Sequence, residues 1–220
     1  ANDGPTHHGL FDIAYLRCVP NLIGMAPKDE DELVDMMFTA SRQSHPVCIR
    51  YPRGNAEGVP LKAEPKAIEI GQAEVLQPFS RKSGRKVAFF ALGNLQKLAQ
   101  EAARQLAAEG FDCALINSRF FKPIDTETTE RFARAADVVV TLEDHVLAGG
   151  YGSAVLEHLS NCRVSTPVVR IAWPDQFIEH ASAVETLRQK YGLTAENAIA
   201  RVKAEFAIAP IDLRREFAIA

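Results

Sequence analysis

From Val87 onward, short apolar runs alternate with segments whose apolar residues recur at helical spacing, and few folds accept that pattern. Val87-Ala88-Phe89-Phe90-Ala91 is apolar throughout and ends at Gly93. Asn94 then reads as a helix cap, with Leu95, Leu98, Ala99, Ala102 and Leu106 on one face and Gly110 as the stop. Cys113-Ala114-Leu115-Ile116 is the next strand, and Asp125 starts a helix that turns Phe132 and Ala136 inward. Val138-Val139-Val140-Thr141-Leu142 is a third strand, and Gly149 to Gly152 open a helix bearing Val155 and Leu159. Val168-Val169-Arg170-Ile171 forms a fourth strand, with helices near 181–190 and 195–204. Strands without polar alternation are buried on both faces, which calls for helices on both sides of a parallel sheet. The expectation for 87–204 is a three-layer α/β domain.

The first 54 residues give an incomplete unit. Leu22 to Met25 reads as a short buried strand. Asp29 caps a helix over 29–42, with Glu32 three positions on as in a capping box. Leu33, Met36, Met37 and Ala40 recur at helical spacing, so they should form its apolar face. Val47-Cys48-Ile49 is a strand that delivers Tyr51 and Arg53 at its carboxyl end. So few elements cannot bury their apolar faces alone, so 1–54 reads as the tail end of an α/β domain whose earlier strands are missing. The stretch 55–86 is rich in proline, glycine and charge and reads as a linker, with a hairpin around Ile68 to Val75. In the tail, 205–220, Glu205-Phe206-Ala207-Ile208-Ala209 recurs as Glu216-Phe217-Ala218-Ile219-Ala220. Two copies are too few for a repeat architecture, and no role follows from them.

Composition excludes several classes. A net charge of −3 with 24% charged residues offers no basic field for nucleic acid. No apolar run approaches the roughly 18–20 residues of a membrane span. Cys18, Cys48, Cys113 and Cys162 are scattered, with no C-x-x-C pair and no histidine read at metal-ligand spacing. Reduced, buried thiols in a cytosolic protein are the plain reading, and no metal ligand is assigned.

Candidate chemistry gathers at the beginning, in Asp3-Gly4-Pro5-Thr6-His7-His8-Gly9-Leu10-Phe11-Asp12. Gly4-Pro5 forces a tight, stiff turn, and two imidazoles and two carboxylates lie within ten residues of it. Histidine is the side chain best suited to move protons near neutral pH. By composition alone a solvated surface loop is the commoner origin of such a His-His pair.

The first run, with Tyr15-Leu16-Arg17, Met25-Ala26-Pro27-Lys28-Asp29-Glu30 and Arg50-Tyr51-Pro52-Arg53-Gly54, resembles the 1-deoxy-D-xylulose-5-phosphate synthases, a branch of the thiamine-diphosphate-dependent, transketolase-like family. Phe120-Phe121-Lys122-Pro123-Ile124-Asp125, Glu143-Asp144-His145 and Gly149-Gly150-Tyr151-Gly152-Ser153 extend the likeness to about Ala204. The resemblance implies the C-terminal portion of such an enzyme. On that basis 1–54 would be the remnant of a pyrimidine-binding domain and 87–204 a transketolase-type C-terminal domain. The implied reaction joins pyruvate to D-glyceraldehyde 3-phosphate, with loss of CO2, to give 1-deoxy-D-xylulose 5-phosphate. Thiamine diphosphate and Mg2+ are the implied cofactors, and a cytoplasmic homodimer the implied form.

Among the site residues, the resemblance makes His7 the active-site imidazole facing the cofactor and substrate. It makes Asp3 the carboxylate beside His7, and Arg53 the guanidinium that grips the acceptor's phosphate. A planar fork suits phosphate in a way lysine cannot match. His8 receives no role. The family's metal-binding Gly-Asp-Gly motif is absent, so 1–220 alone should bind the cofactor poorly and be inactive. Transketolase itself and the β-subunits of 2-oxo-acid dehydrogenases share only the later blocks and rank second. A non-catalytic dimerisation role for 87–204 is a further alternative. A dinucleotide site at Gly149–Gly152 lacks the G-x-G-x-x-G spacing and has Glu143-Asp144 before it, which would repel a pyrophosphate.

Overall fold

The computed structural model describes residues 4–180 and 182–207. Two sheets organise them. The larger has the order β3-β5-β4-β7-β8, built from β3 (Glu74–Gln77), β4 (Lys86–Ala91), β5 (Asp112–Asn117), β7 (Val138–Val146) and β8 (Val168–Trp173). Its four main strands are parallel, and β3 is added antiparallel to the edge at β5.

Strand β4 explains the layering. Val87, Phe89 and Ala91 enter one core, and Ala88 and Phe90 enter the other, because successive side chains leave opposite faces of a strand. The first core is closed by α3 (Gln96–Ala108), α6 (Val184–Tyr191) and α7 (Ala195–Ala207), through Leu95, Ala99, Leu106, Leu187, Ala198 and Val202. The second is closed by α4 (Thr126–Ala135) and α5 (Tyr151–Asn161), through Phe132, Ala133, Tyr151, Val155 and Leu159. The expected three-layer α/β arrangement is present, with one antiparallel edge.

Asp125 caps α4 as read, accepting from the Thr128 backbone N–H at 2.8 Å. Asn94 does not cap α3. A 3-10 turn over Gly93–Leu95 precedes that helix, and the Asn94 amide points instead at Asp144 Oδ2, 3.4 Å away.

The smaller sheet has the order β2-β1-β6, with β1 (Ile23–Met25) parallel to β2 (Val47–Ile49) and antiparallel to β6 (Phe120–Lys122). Strand β6 was not anticipated. It lends Phe120 to a small core with Ile23, Met25, Met36 and Ile68, so the first unit is covered from within this chain. Gly24 makes this possible: a Cβ there would lie 2.1 Å from Phe121 Cε2, so the ring needs the bare backbone.

Helix α2 (Glu30–Ala40) departs from its expected face. Asp29 does cap it, but the buried residues are Glu32, Asp35, Met36 and Thr39, while Met37 is 61% exposed. Hydrophobic spacing misled because this helix binds polypeptide through acids. Glu30 accepts the backbone N–H groups of Glu57, Gly58 and Val59, and Asp31 that of Lys62. Asp35 takes the N–H of Lys66, and Thr39 Oγ1 that of Ile68. The stretch 57–68 is thus strapped to α2. The hairpin expected around Ile68 to Val75 does not form, since β3 pairs with β5 instead.

Candidate functional site

His7 closes the turn that Gly4-Pro5 begins: its N–H reaches Gly4 O at 3.0 Å, with Gly4 at φ 85°. Thr6 Oγ1 lies 2.9 Å from His7 Nδ1. The loop is then tied down at its far end. Leu10 is buried in the first core of the large sheet, and its carbonyl accepts the Val146 N–H at 2.9 Å. Helix α1 (Asp12–Arg17) follows and docks on the same region. The Ala14 N–H donates to His145 Nε2 at 3.2 Å, and Arg17 reaches the carbonyls of Gly149 and Gly150.

Arg50, one residue past β2, joins three elements. Its Nε donates to both Asp12 oxygens, at 3.1 and 2.9 Å, and its Nη2 donates to Gly9 O and Asp144 O. The Tyr51–Gly54 stretch is thereby fixed beside the His7 loop. Asp144 lies opposite, largely buried, and accepts from Trp173 Nε1 at 2.6 Å and from Arg188 Nη2 at 3.1 Å. Burial alone would raise the Asp144 pKa, but Arg50, Arg188 and the bonds from Trp173 and Asn94 outweigh it and hold the carboxyl below its ordinary value.

These elements bound a cleft of about 740 Å³ that opens to solvent. His7, His8 and Gly9 form one side and Arg50 to Gly54 the next. Asp144, Asn94 and Trp173 form the floor, and the start of α6 faces them. His7 and Arg53 therefore line the same cleft, and His8, to which no role was given, lines it with them. Asp3 lies outside the described residues. The described lining includes three guanidiniums (Arg50, Arg53, Arg188) and two carboxylates (Asp12, Asp144), with Arg50 gripping Asp12 and Arg188 gripping Asp144.

Sequence reading missed Arg50, Arg188, Asn94 and Trp173. Arg50 carried a usable signal, because α/β sheets present ligand contacts just past the carboxyl ends of strands. Arg188 and Trp173 lie far along the chain and carried none.

The glycines before α5 are explained by packing. Glu143 accepts the N–H groups of Tyr151 and Gly152 and so fills the helix N-terminus, where a pyrophosphate would otherwise sit. A Cβ on Gly150 would lie 2.2 Å from Glu143 Oε2, and one on Gly152 2.6 Å from Thr141 Oγ1. Burial pushes the Glu143 carboxyl up to about 7 despite those two donors. Burial also lowers the His145 pKa, which suits a neutral ring accepting from Ala14.

The model of the transketolase C-terminal domain matches residues 76–198, and that of the transketolase pyrimidine-binding domain matches residues 1–58. The chain is 56% identical over 198 residues to a 1-deoxy-D-xylulose-5-phosphate synthase of Methylacidiphilum infernorum, covering 90% of this chain and 30% of that protein. It is 50% identical over 201 residues to the one from Acidobacterium capsulatum, covering 91% and 31%. It spans about three tenths of the length of these curated relatives. A solved structure of a split-gene transketolase, described as an inactive β4 tetramer, superposes with a TM-score of 0.81 at 35% identity, covering 93% of this chain and 64% of that one. Family models thus match the chain on both sides of the cleft, and the chain belongs to the transketolase family, whose C-terminal domain it carries after a stretch matching the pyrimidine-binding domain.

Proposed function

We propose that this chain is the C-terminal share of a thiamine-diphosphate-dependent 1-deoxy-D-xylulose-5-phosphate synthase, and that its cleft receives the acceptor D-glyceraldehyde 3-phosphate. The observation that carries the proposal is the shared cleft of His7 and Arg53, an imidazole and a guanidinium lining one space. The relatives named as this synthase support the choice of substrates.

Thiamine diphosphate, when bound, supplies the carbon chemistry on pyruvate that no side chain can. The described cleft residues fit one wall of such a site. They do not fit the divalent ion that would accompany a diphosphate: Asp12 is gripped by Arg50, and Asp144 by Arg188 and Trp173, so neither is open as a ligand. On this wall Arg53 takes the phosphate of the acceptor through paired charge-assisted bonds. His7, with Nδ1 beside Thr6, has Nε2 for proton exchange with the acceptor's aldehyde oxygen as it becomes a hydroxyl. Asp3 belongs to the proposal as the partner of that imidazole or of the acceptor's hydroxyls.

The rest of the proposal concerns the whole protein. Turnover needs polypeptide beyond residues 1–220, as the relatives' greater length suggests. A homodimer is proposed, the related split-gene structure being itself described as a tetramer. No described helix is long and apolar enough to cross a membrane. The four cysteines are free thiols, which supports a reducing compartment such as the cytoplasm, although only Cys113 is buried and Cys18 is exposed, against the expectation of buried thiols.

Steady-state kinetics on the complete enzyme with pyruvate and D-glyceraldehyde 3-phosphate test the assignment. Arg53→Ala should raise KM for the aldehyde by about 10–100-fold, the worth of one or two charged hydrogen bonds, with a smaller change in kcat. His7→Ala should lower kcat by about 10²–10⁴-fold. An Arg53→Ala enzyme with unchanged KM for the phosphorylated aldehyde would overturn the assignment.

A further inference from the structure

Outside the cleft, three side chains of different chemistry converge where α4 and α5 pack together. His158 and Cys162 are four residues apart at the end of α5, and helical geometry places that spacing on one face. The Cys162 N–H still bonds His158 O at 3.0 Å, so the turn is intact. Glu130 faces them from α4. One ligating atom from each of the three lies within 4.8 Å of the others, and all three residues are half-buried. The sequence reading that no cysteine has a histidine at ligand spacing is therefore corrected, because His158-x-x-x-Cys162 is such a spacing.

We propose that Glu130, His158 and Cys162 form a binding site for a zinc-class transition-metal ion, independent of the proposed synthase chemistry. The donor set selects the metal. Imidazole nitrogen and thiolate sulfur are borderline-to-soft ligands that suit zinc and its neighbours, whereas magnesium and calcium take oxygen. Cys162 Sγ and His158 Nε2 are 3.9 Å apart. Tetrahedral bonds of about 2.3 Å to sulfur and about 2.0 Å to nitrogen need nearly that separation, so little movement is required.

The helix dipole favours a cation here, and the neighbouring hydrogen bonds set what binding must keep or displace. The site lies at the carboxyl end of α5, where the helix dipole is negative. Arg134 holds Glu130 Oε1 and also donates to Cys162 O at 2.8 Å, which orients the carboxylate toward α5 and leaves Oε2 to ligate. His158 Nε2 exchanges a contact with Thr126 O at 3.1 Å for the metal. With three protein ligands, a fourth position stays open to water. The opposite end of α5 carries the Glu143 cap, so the ion would staple two helices rather than enter the cleft.

Cobalt titration of reduced protein stripped by chelator tests the site. One equivalent of Co2+ should give a near-ultraviolet thiolate-to-cobalt band and the visible bands of a four-coordinate ion, both displaced by Zn2+. Cys162→Ser should abolish the thiolate band. His158→Ala and Glu130→Gln should each weaken binding by at least the roughly 10–100-fold that loss of an outer partner costs. Cys18→Ser should change nothing. Zinc should raise the melting midpoint of the unmodified chain and not that of the Cys162→Ser chain. Absence of the band, its survival in Cys162→Ser, or non-saturating uptake would overturn the proposal.

Discussion

Two acid-centred knots hold this molecule together, and they differ in one respect. Glu32, 2% exposed, accepts from Lys28 N, Asn117 Nδ2 and Arg119 Nε, at 2.8, 2.7 and 2.7 Å, and so ties α2 to the β5–β6 segment. Asp144 accepts from Trp173, Arg188 and Asn94 while its carbonyl takes Arg50. The Glu32 knot is closed: Glu74 sits beside it and shares Lys28, Arg119 and Asn117. The Asp144 knot borders the cleft, and its two arginines line that space together with Arg53. The same chemistry serves as an interdomain rivet in one place and as the cationic frame of a binding site in the other.

The largest expected effect follows from breaking the closed knot. Glu32→Ala would remove the buried carboxylate on which Arg119, Asn117 and the Lys28 N–H converge, leaving the two side chains to the more exposed Glu74, and should cost about 3–5 kcal/mol in urea unfolding. Anion binding in the folded protein should hardly change, since Glu32 does not line the cleft. A large loss of cleft affinity with little loss of stability would erase the distinction between the knots.

Gly152→Ala sharpens the comparison by disturbing the seat of α5, which carries the Arg17 contacts of the His7 segment. Its Cβ would meet Thr141 Oγ1 at 2.6 Å and Arg170 Cδ at 3.0 Å, and overpacking of this kind costs about 1–3 kcal/mol. Thermal melting reads it. Arg188→Ala should do the reverse of Glu32→Ala. It leaves Asp144 with Trp173 and Asn94 and should cost only about 1 kcal/mol, while phosphate affinity measured by calorimetry falls.

A pH dependence tests the seat of α5 separately. The Glu143 carboxyl is raised to about 7 in the fold from an ordinary value of 4.5, so the folded state binds the proton more tightly than the unfolded one. Its contribution is therefore most favourable below about 4.5 and is lost as pH rises toward 7. Glu143→Gln removes that titration. The stability of the parent relative to this variant should fall between those two values, read by urea unfolding at a series of pH values, and stay flat above.

How much of this was legible in the sequence depends on what each element is held by. The large sheet was readable because β4, β5 and β7 contain the nearly unbroken apolar runs 87–91, 113–116 and 138–142 and their helices carry apolar stripes. Helix α2 was misread because its buried face carries Glu32, Asp35 and Thr39 beside Met36: Asp35 and Thr39 hold backbone N–H groups of a strap that has no periodicity, and Glu32 holds Lys28, Asn117 and Arg119. Strand β6 was missed because its partner β1 lies about a hundred positions earlier, a pairing that no local pattern displays. Of the cleft, His7 and Arg53 came from residue motifs. The frame that sets them side by side, Arg50, Asp144 and Arg188, comes from contacts between distant segments that one sequence does not display.

The central claim is that His7 and Arg53 act on one ligand. The most direct measurement is nuclear magnetic resonance of this chain with 15N-labelled histidine, titrated with D-glyceraldehyde 3-phosphate. The account predicts a saturable shift of the His7 ring resonances, with the titration moved to about tenfold or more higher ligand in Arg53→Ala. Ring signals that stay unmoved while the phosphate binds, or a titration indifferent to Arg53→Ala, would contradict it.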